Sequence, residues 1–236
     1  MSPSVLLPGM NCTADLWTGA NPTGAIQPVL DRPTMSAQVD ALLATLPERF
    51  VLVGHSLGAI VAMSLALTAP ERVAGLCLVS TNAKAPTQSQ REGWREWLAA
   101  LDRGTSPRAL QNSILDPLLG AEVAREHPAL VERTLRMGDD TGAEVLRAQL
   151  QMQLTRTDLL ARLPELPTPT LVVSGLDDEI TPPHFHTEIV TRMRDARLVT
   201  LDAGHLLPLQ RPRAFASLLR SWQGQLTDAA AGAARR

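Results

Sequence analysis

Ser56 stands at the centre of Gly54-His55-Ser56-Leu57-Gly58, between an apolar run ending at Val53 and another opening at Ala59. A serine hydroxyl is a poor nucleophile near neutral pH. It needs a neighbouring base, a group that orients the base, and N–H donors for the oxyanion that forms. Gly-x-Ser-x-Gly alone also occurs in ordinary turns, so its surroundings decide its meaning. Here a strand-like run leads in and a helix-like run leads out, and Gly54 and Gly58 would let the backbone turn tightly enough to lift Ser56 above a sheet. The first N–H groups of the following helix have no intrahelical acceptor, which makes the Leu57 amide a natural oxyanion donor.

Other residues compete for a chemical role. His205 follows Ala203-Gly204, just past the run Leu198–Leu201. A Gly-His turn after a strand has little packing purpose, so a working histidine is expected there. Asp177 and Asp178 end Gly175-Leu176-Asp177-Asp178, past a further apolar run. Only one carboxylate is needed beside an imidazole, and the other reads as a solvated turn residue. His55 reads as a packed neighbour of Ser56. His184 and His186, two residues apart, would point to different faces of a helix and make a poor metal pair, so no metal is expected. Cys12 and Cys77 are the only cysteines. They form neither a Cys-x-x-Cys pair nor a zinc-ligand cluster, and reduced, packed thiols are expected.

The elements that must position these groups follow from periodicity. Val5-Leu6-Leu7, Phe50 to Val53, Val73 to Ser80, Thr170 to Ser174 and Leu198 to Leu201 read as short buried strands. Ile26 to Leu30 adds an edge or irregular strand, because Pro28 cannot donate to a central ladder. From Ser36, Val39, Leu42, Leu43 and Leu46 repeat with helical spacing up to Pro47, and Ala59 to Leu67 is rich enough in Ala and Leu for a buried helix. Strands alternating with helices imply an α/β chain whose mostly parallel sheet is covered on both faces. About six strands are expected.

Between about Lys84 and Leu163 the pattern changes to successive amphipathic helices, far longer than an ordinary connection of roughly 4–6 residues. It reads as a helical cap over residues 84–163, inserted between core segments 1–83 and 164–226. Trp94, Trp97, Leu98 and Leu101 share one helical face, and Leu146, Leu150 and Leu154 another. Such faces are usually core, although a cap face can also line a pocket. The Ala- and Gly-rich tail, 227–236, is expected to fray.

At 236 residues a single domain is the default, and 22 Lys plus Arg against 24 Asp plus Glu leave a charge of -2. That balance favours a small-molecule substrate over nucleic acid or an anionic membrane. With no signal-like N-terminus and no apolar run of spanning length, a soluble cytoplasmic protein is expected.

The chain resembles the α/β-hydrolase family from about Val5 to Trp222. The resemblance is carried by Leu7-Pro8-Gly9-Met10, the Ser56 pentapeptide, Gly175-Leu176-Asp177-Asp178 and Gly204-His205, which appear in the family order of nucleophile, acid and histidine. It implies that Asp178 is the acid, that His205 is the base, and that the Met10 amide joins that of Leu57 in an oxyanion hole. Pro8 departs from the histidine, and Gln210 from the glutamate, that many relatives carry at those places. The first two strands of larger members are expected to be missing. Relatives with an aspartate nucleophile, or with lid tyrosines, are set aside because the elbow carries Ser56 and the chain has no Tyr. The expected activity is cofactor-free hydrolysis of a small carboxylic ester through an acyl-enzyme. A lactone, a thioester or an activated carbon–carbon bond would suit the same groups. Acyl transfer, cyclisation, lyase chemistry and a non-catalytic receptor on the same fold stay open at this point.

Overall fold

The computed structural model describes the backbone of residues 2–233, with side chains through Asp228. Five parallel strands form one sheet in the order β1 (Ser4–Leu7), β2 (Phe50–His55), β3 (Val73–Val79), β4 (Thr170–Gly175), β5 (Ala196–Leu201). Each strand before the β5 edge alternates its side chains between two apolar layers, as a pleated backbone requires. Leu52, Leu76 and Val172 enter the layer on one face, and Val53, Cys77 and Val173 the layer on the other. The first layer is closed by α1 (Met35–Thr45), α2 (Leu57–Thr68) and α8 (Pro183–Arg192). The second is closed by short α9 (Leu207–Gln210) and long α10 (Pro212–Ala233). Buried as far as Met63, α2 carries a mostly apolar sequence, with Ser64 and Thr68 reaching the surface near its end.

Among the described residues the sheet has five strands rather than about six. The segment Ile26–Leu30 supplies one bridge on the outer side of β1, in which the Ile26 N–H donates to Ser4 at 2.8 Å and the Leu6 N–H donates to Ile26 at 2.9 Å. Pro28 has no N–H with which to continue, and Val29 is 61% exposed, so nothing draws the rest of the segment into the ladder.

Between β3 and β4 the α-helices are α3 (Gln88–Asp102), α4 (Pro107–Asn112), α5 (Leu115–Leu119), α6 (Ala121–Glu126) and α7 (Pro128–Thr155), and no described residue there joins the sheet. A reciprocal capping box opens α3, in which Thr87 accepts from the Gln90 amide at 3.2 Å and Gln90 accepts from the Thr87 amide at 3.1 Å. Gly142, with φ of 74°, breaks α7 into two helical segments. Leu101, Leu110, Leu146 and Leu150 form a third apolar cluster, against which Trp94, Trp97 and Leu98 pack. At the C-terminus α10 runs on to Ala233, past the Thr227 at which composition starts the frayed tail; positions 234–236 lie outside the described residues. No described helix is long and apolar enough to cross a membrane.

Candidate active site

A parallel sheet sends the loops that follow its strands to one edge, which is where open α/β sheets carry their sites. Ser56 follows β2, Asp178 follows β4, His205 follows β5, and Met10 follows β1. Ser56 takes φ of 52° and ψ of -115°, a left-handed conformation that a non-glycine residue holds only under constraint. The constraint is close packing. A Cβ on Gly58 would run into the carbonyls of Leu7 and Pro8, and one on Gly54 would lie 2.5 Å from the Ala59 Cα. The Ser56 N–H donates to Val79 at 2.9 Å and fixes the turn against β3.

From that turn the Ser56 hydroxyl donates to His205 Nε2 at 3.0 Å. His205 Nδ1 faces both oxygens of Asp178, at 3.0 and 2.9 Å, and donates there in the tautomer that leaves Nε2 free to accept. Asp178 is 2% exposed and receives three further donors. The amides of Ile180 and Thr181 reach Oδ1 at 3.0 and 2.8 Å, and the Thr181 hydroxyl reaches Oδ2 at 2.7 Å. Burial alone would raise this carboxyl's pKa. The facing His205, its hydrogen bond and the Thr181 donors outweigh burial and hold the pKa down at about 2. Asp177 is exposed and points elsewhere, its amide donating to Ala203 at 3.0 Å. Of the adjacent pair, Asp178 meets the histidine.

Leu57 opens α2, and Met10 borders the cavity above Ser56. Neither amide donates to another group among the described residues. The loop that carries Met10 is held by Asn11, a fully buried side chain that the sequence reading passed over. Asn11 sits at φ of 56°, donates its amide to Gln149 at 2.8 Å, and donates its side-chain nitrogen to Pro107 at 3.0 Å and Gln111 at 2.9 Å. Asparagine tolerates the left-handed region; its side chain here binds the turn to α4, and its backbone amide binds it to α7.

Two more histidines surround the site without reaching Ser56. His55 Nε2 donates to the His205 carbonyl at 2.8 Å, and the two rings lie 5.0 Å apart. Desolvation, and then the neighbouring His205, push its pKa down to about 3, so the ring is neutral. His186 Nε2 accepts from the Thr81 amide at 2.9 Å, while the Thr81 hydroxyl donates to the Ser56 carbonyl at 3.1 Å. Its pKa is likewise lowered by desolvation, to about 4. Both histidines brace the backbone. His184 joins neither contact, and among the described residues no group of three or more His, Cys, Asp or Glu side chains is arranged to hold a metal ion. Cys12 and Cys77 are free and buried, and burial pushes the Cys12 thiol up to about 12, far from a reactive thiolate.

Above Ser56 lies a cavity of about 310 Å³, at the small end of the range for small-molecule sites. Ser56, His205 and Met10 lie on its sheet side, and Trp94, Trp97 and Arg156 on its helical side. This arrangement can bring a carbonyl onto an activated hydroxyl in a largely apolar space.

A family model described as the alpha/beta hydrolase family matches residues 5–218. A pimeloyl-[acyl-carrier protein] methyl ester esterase of Aromatoleum aromaticum is 31% identical over an alignment that covers 79% of each chain. A Neisseria meningitidis protein of the same name is 28% identical over 84% of this chain and 64% of its own. Among solved structures, a thermophilic esterase from Thermogutta terrifontis, studied with malate bound, superposes with a TM-score of 0.84 at 25% identity, covering 96% of this chain and 90% of that one. An enol-lactonase from Burkholderia xenovorans shares the fold with a TM-score of 0.83 at 19% identity, over 95% and 92% of the two chains.

Proposed function

The chain belongs to the alpha/beta hydrolase family, and from that premise we propose that it is a serine hydrolase cleaving a small carboxylic ester through an acyl-enzyme. The observation that carries the proposal is the unbroken hydrogen-bond chain from the Ser56 hydroxyl through His205 to Asp178, facing a cavity that opens partly to solvent. The relatives that bear esterase names support the choice of an ester bond.

As Ser56 Oγ attacks the ester carbonyl, His205 Nε2 takes its proton, and Asp178 stabilises the imidazolium. The carbonyl oxygen becomes an oxyanion held by the Met10 and Leu57 amides, which stand ready as donors before the reaction begins. Collapse of the tetrahedral intermediate breaks the carbon–oxygen bond to the alcohol, and His205 returns the proton to that oxygen. Water then repeats the sequence on the acyl-serine, with His205 again as base, and the acid leaves. A lactone or thioester carbonyl would react by the same steps. In this reading helices α3–α7 are a cap that closes the cavity over the reacting carbonyl and limits its access to bulk water.

Hydrolysis of p-nitrophenyl butyrate by wild type and Ser56→Ala, side by side, tests this function. Wild-type turnover that disappears in the variant, with circular dichroism unchanged, is expected. Equal turnover by both proteins would remove the serine mechanism.

A further inference from the structure

Arg156 follows α7 and borders the same cavity as Ser56 and His205, yet the steps above give it no task. It is 5% exposed. One terminal nitrogen donates to Gln153 Oε1 and the other to Gln90 Oε1, both at 3.1 Å, while the buried Nε–H has no acceptor. The guanidinium lies over the Trp94 ring, 5.2 Å from its centroid. Among the described residues no carboxylate forms an ion pair with it, and the charged side chain acting on it is a second cation, Arg91. Desolvation, then Arg91, lower its pKa to about 10, which still leaves it charged at neutral pH.

Burying a charge without a counter-charge is expensive, and structures avoid it unless a partner or a ligand supplies the opposite sign. Here both protein partners are glutamines, neutral amides that orient the guanidinium without neutralising it. An arginine that served only to join α3 to α7 would be cheaper to bury against a glutamate. With the two glutamine bonds made, one N–H remains on each terminal nitrogen, and such a pair on one planar guanidinium matches the two oxygens of a carboxylate.

We propose that Arg156 binds a carboxylate carried by the substrate, so that the substrates are half-esters of small dicarboxylic acids, with the scissile ester at Ser56 and the free acid at Arg156. The inference rests on the hydrolase reading above and adds the substrate class. A single carboxylate balances the single buried guanidinium, and the volume of about 310 Å³ suits a short skeleton between them.

The test measures kcat/KM on matched pairs that differ only in the terminal group: the monomethyl esters of succinate, glutarate and adipate against methyl butanoate, pentanoate and hexanoate. Wild type should favour the anionic member of at least one pair by about tenfold to a hundredfold, the range for a hydrogen bond to a charged group. In Arg156→Gln that ratio should collapse, mainly through KM, and Arg156→Lys should recover part of it. Preference for the neutral member in every pair, or an unchanged ratio in Arg156→Gln, would overturn the proposal. If Arg156→Gln does not fold, glutarate against its neutral diamide, glutaramide, as inhibitors of wild-type p-nitrophenyl butyrate hydrolysis decides the matter: glutarate must inhibit more strongly. Turnover of p-nitrophenyl butyrate with no anionic preference would sink this inference and leave the hydrolase reading standing. If no ester is turned over, the hydrolase reading fails, and tryptophan quenching by glutarate still decides: quenching in wild type that Arg156→Gln loses supports the carboxylate site, and no quenching in wild type ends it.

Discussion

Gln210 holds Gly204, the residue before His205: the Gly204 N–H donates to Gln210 Oε1 at 2.7 Å. The other end of the same amide, Nε2, donates to the Leu119 carbonyl at 3.0 Å. One side chain therefore ties the His205 turn to α5, and the Leu206 N–H adds a second tie to Leu118 at 3.2 Å. An amide can play both parts because it carries a donor and an acceptor.

Replacing Gln210 with glutamate keeps the acceptor and removes the donor, leaving the Leu119 carbonyl facing an anion. Gln210→Glu should lose about 1–3 kcal/mol of stability in urea denaturation, the cost of an unsatisfied buried partner, and kcat should fall with the loosened His205 turn. Wild-type stability together with wild-type kcat would show that this bridge does not position the histidine.

Activity should fall on the acid side, since only a neutral imidazole can accept the Ser56 proton. The other groups near the site are excluded as the source of this limb. Asp178 stays ionised down to about 2, and His55 and His186 titrate at about 3 and about 4. A profile of kcat/KM against pH, with folding followed in parallel, should keep its acid limb in His55→Gln. A limb that moves with that substitution while the protein stays folded would point to His55 as the titrating group.

Acid should also weaken the fold, for a different reason. His55 and His186 have folded pKa values far below the unfolded value of about 6.5, so the unfolded chain binds more protons between those limits. The sign follows: their contribution is fully present above about 6.5 and is lost as pH falls toward about 4 and about 3. At pH 5 each buried neutral ring should have lost about 2 kcal/mol. Denaturation at pH 7 and pH 5 should show this drop in wild type and a smaller one in His55→Gln. Equal drops in the two proteins would contradict the assignment of a desolvated, neutral His55.

Much of this was legible in the residues. Ser56, His205 and the aspartate pair each end an apolar run, and a parallel sheet delivers such ends to one edge, so local pattern was enough to find them. The five strands were legible for the same reason. Ile26–Leu30 was not, because Pro28 and the exposed Val29 stop the pairing after one bridge. Nor were the ties that hold the site. Asn11 meets Gln149 across 138 residues, and Gln210 meets Leu119 across 91, distances over which no periodicity carries a signal. Thr181 left a local trace, an aspartate followed three residues later by a threonine, which is the pattern of a side chain capping its own turn.

The two adjacent aspartates should behave unequally. Asp178→Asn would offer an N–H₂ to His205 Nδ1, favour the wrong tautomer and remove the counter-charge; the corresponding change in serine proteases costs about 10⁴-fold in kcat. A loss of thousands-fold is expected with folding retained. Asp177→Asn, altering an exposed side chain, should stay within a few-fold of wild type. The reverse ranking, measured with one ester, would move the acid to Asp177.

Covalent capture identifies the attacking atom, which is expected to be Ser56 Oγ. After treatment with a fluorophosphonate, intact-mass and peptide mass spectrometry should find one adduct, on the peptide that contains Ser56, and labelling should slow sharply in His205→Ala. An adduct on another residue, or ester turnover that persists once Ser56 is fully modified, would show that a different group attacks.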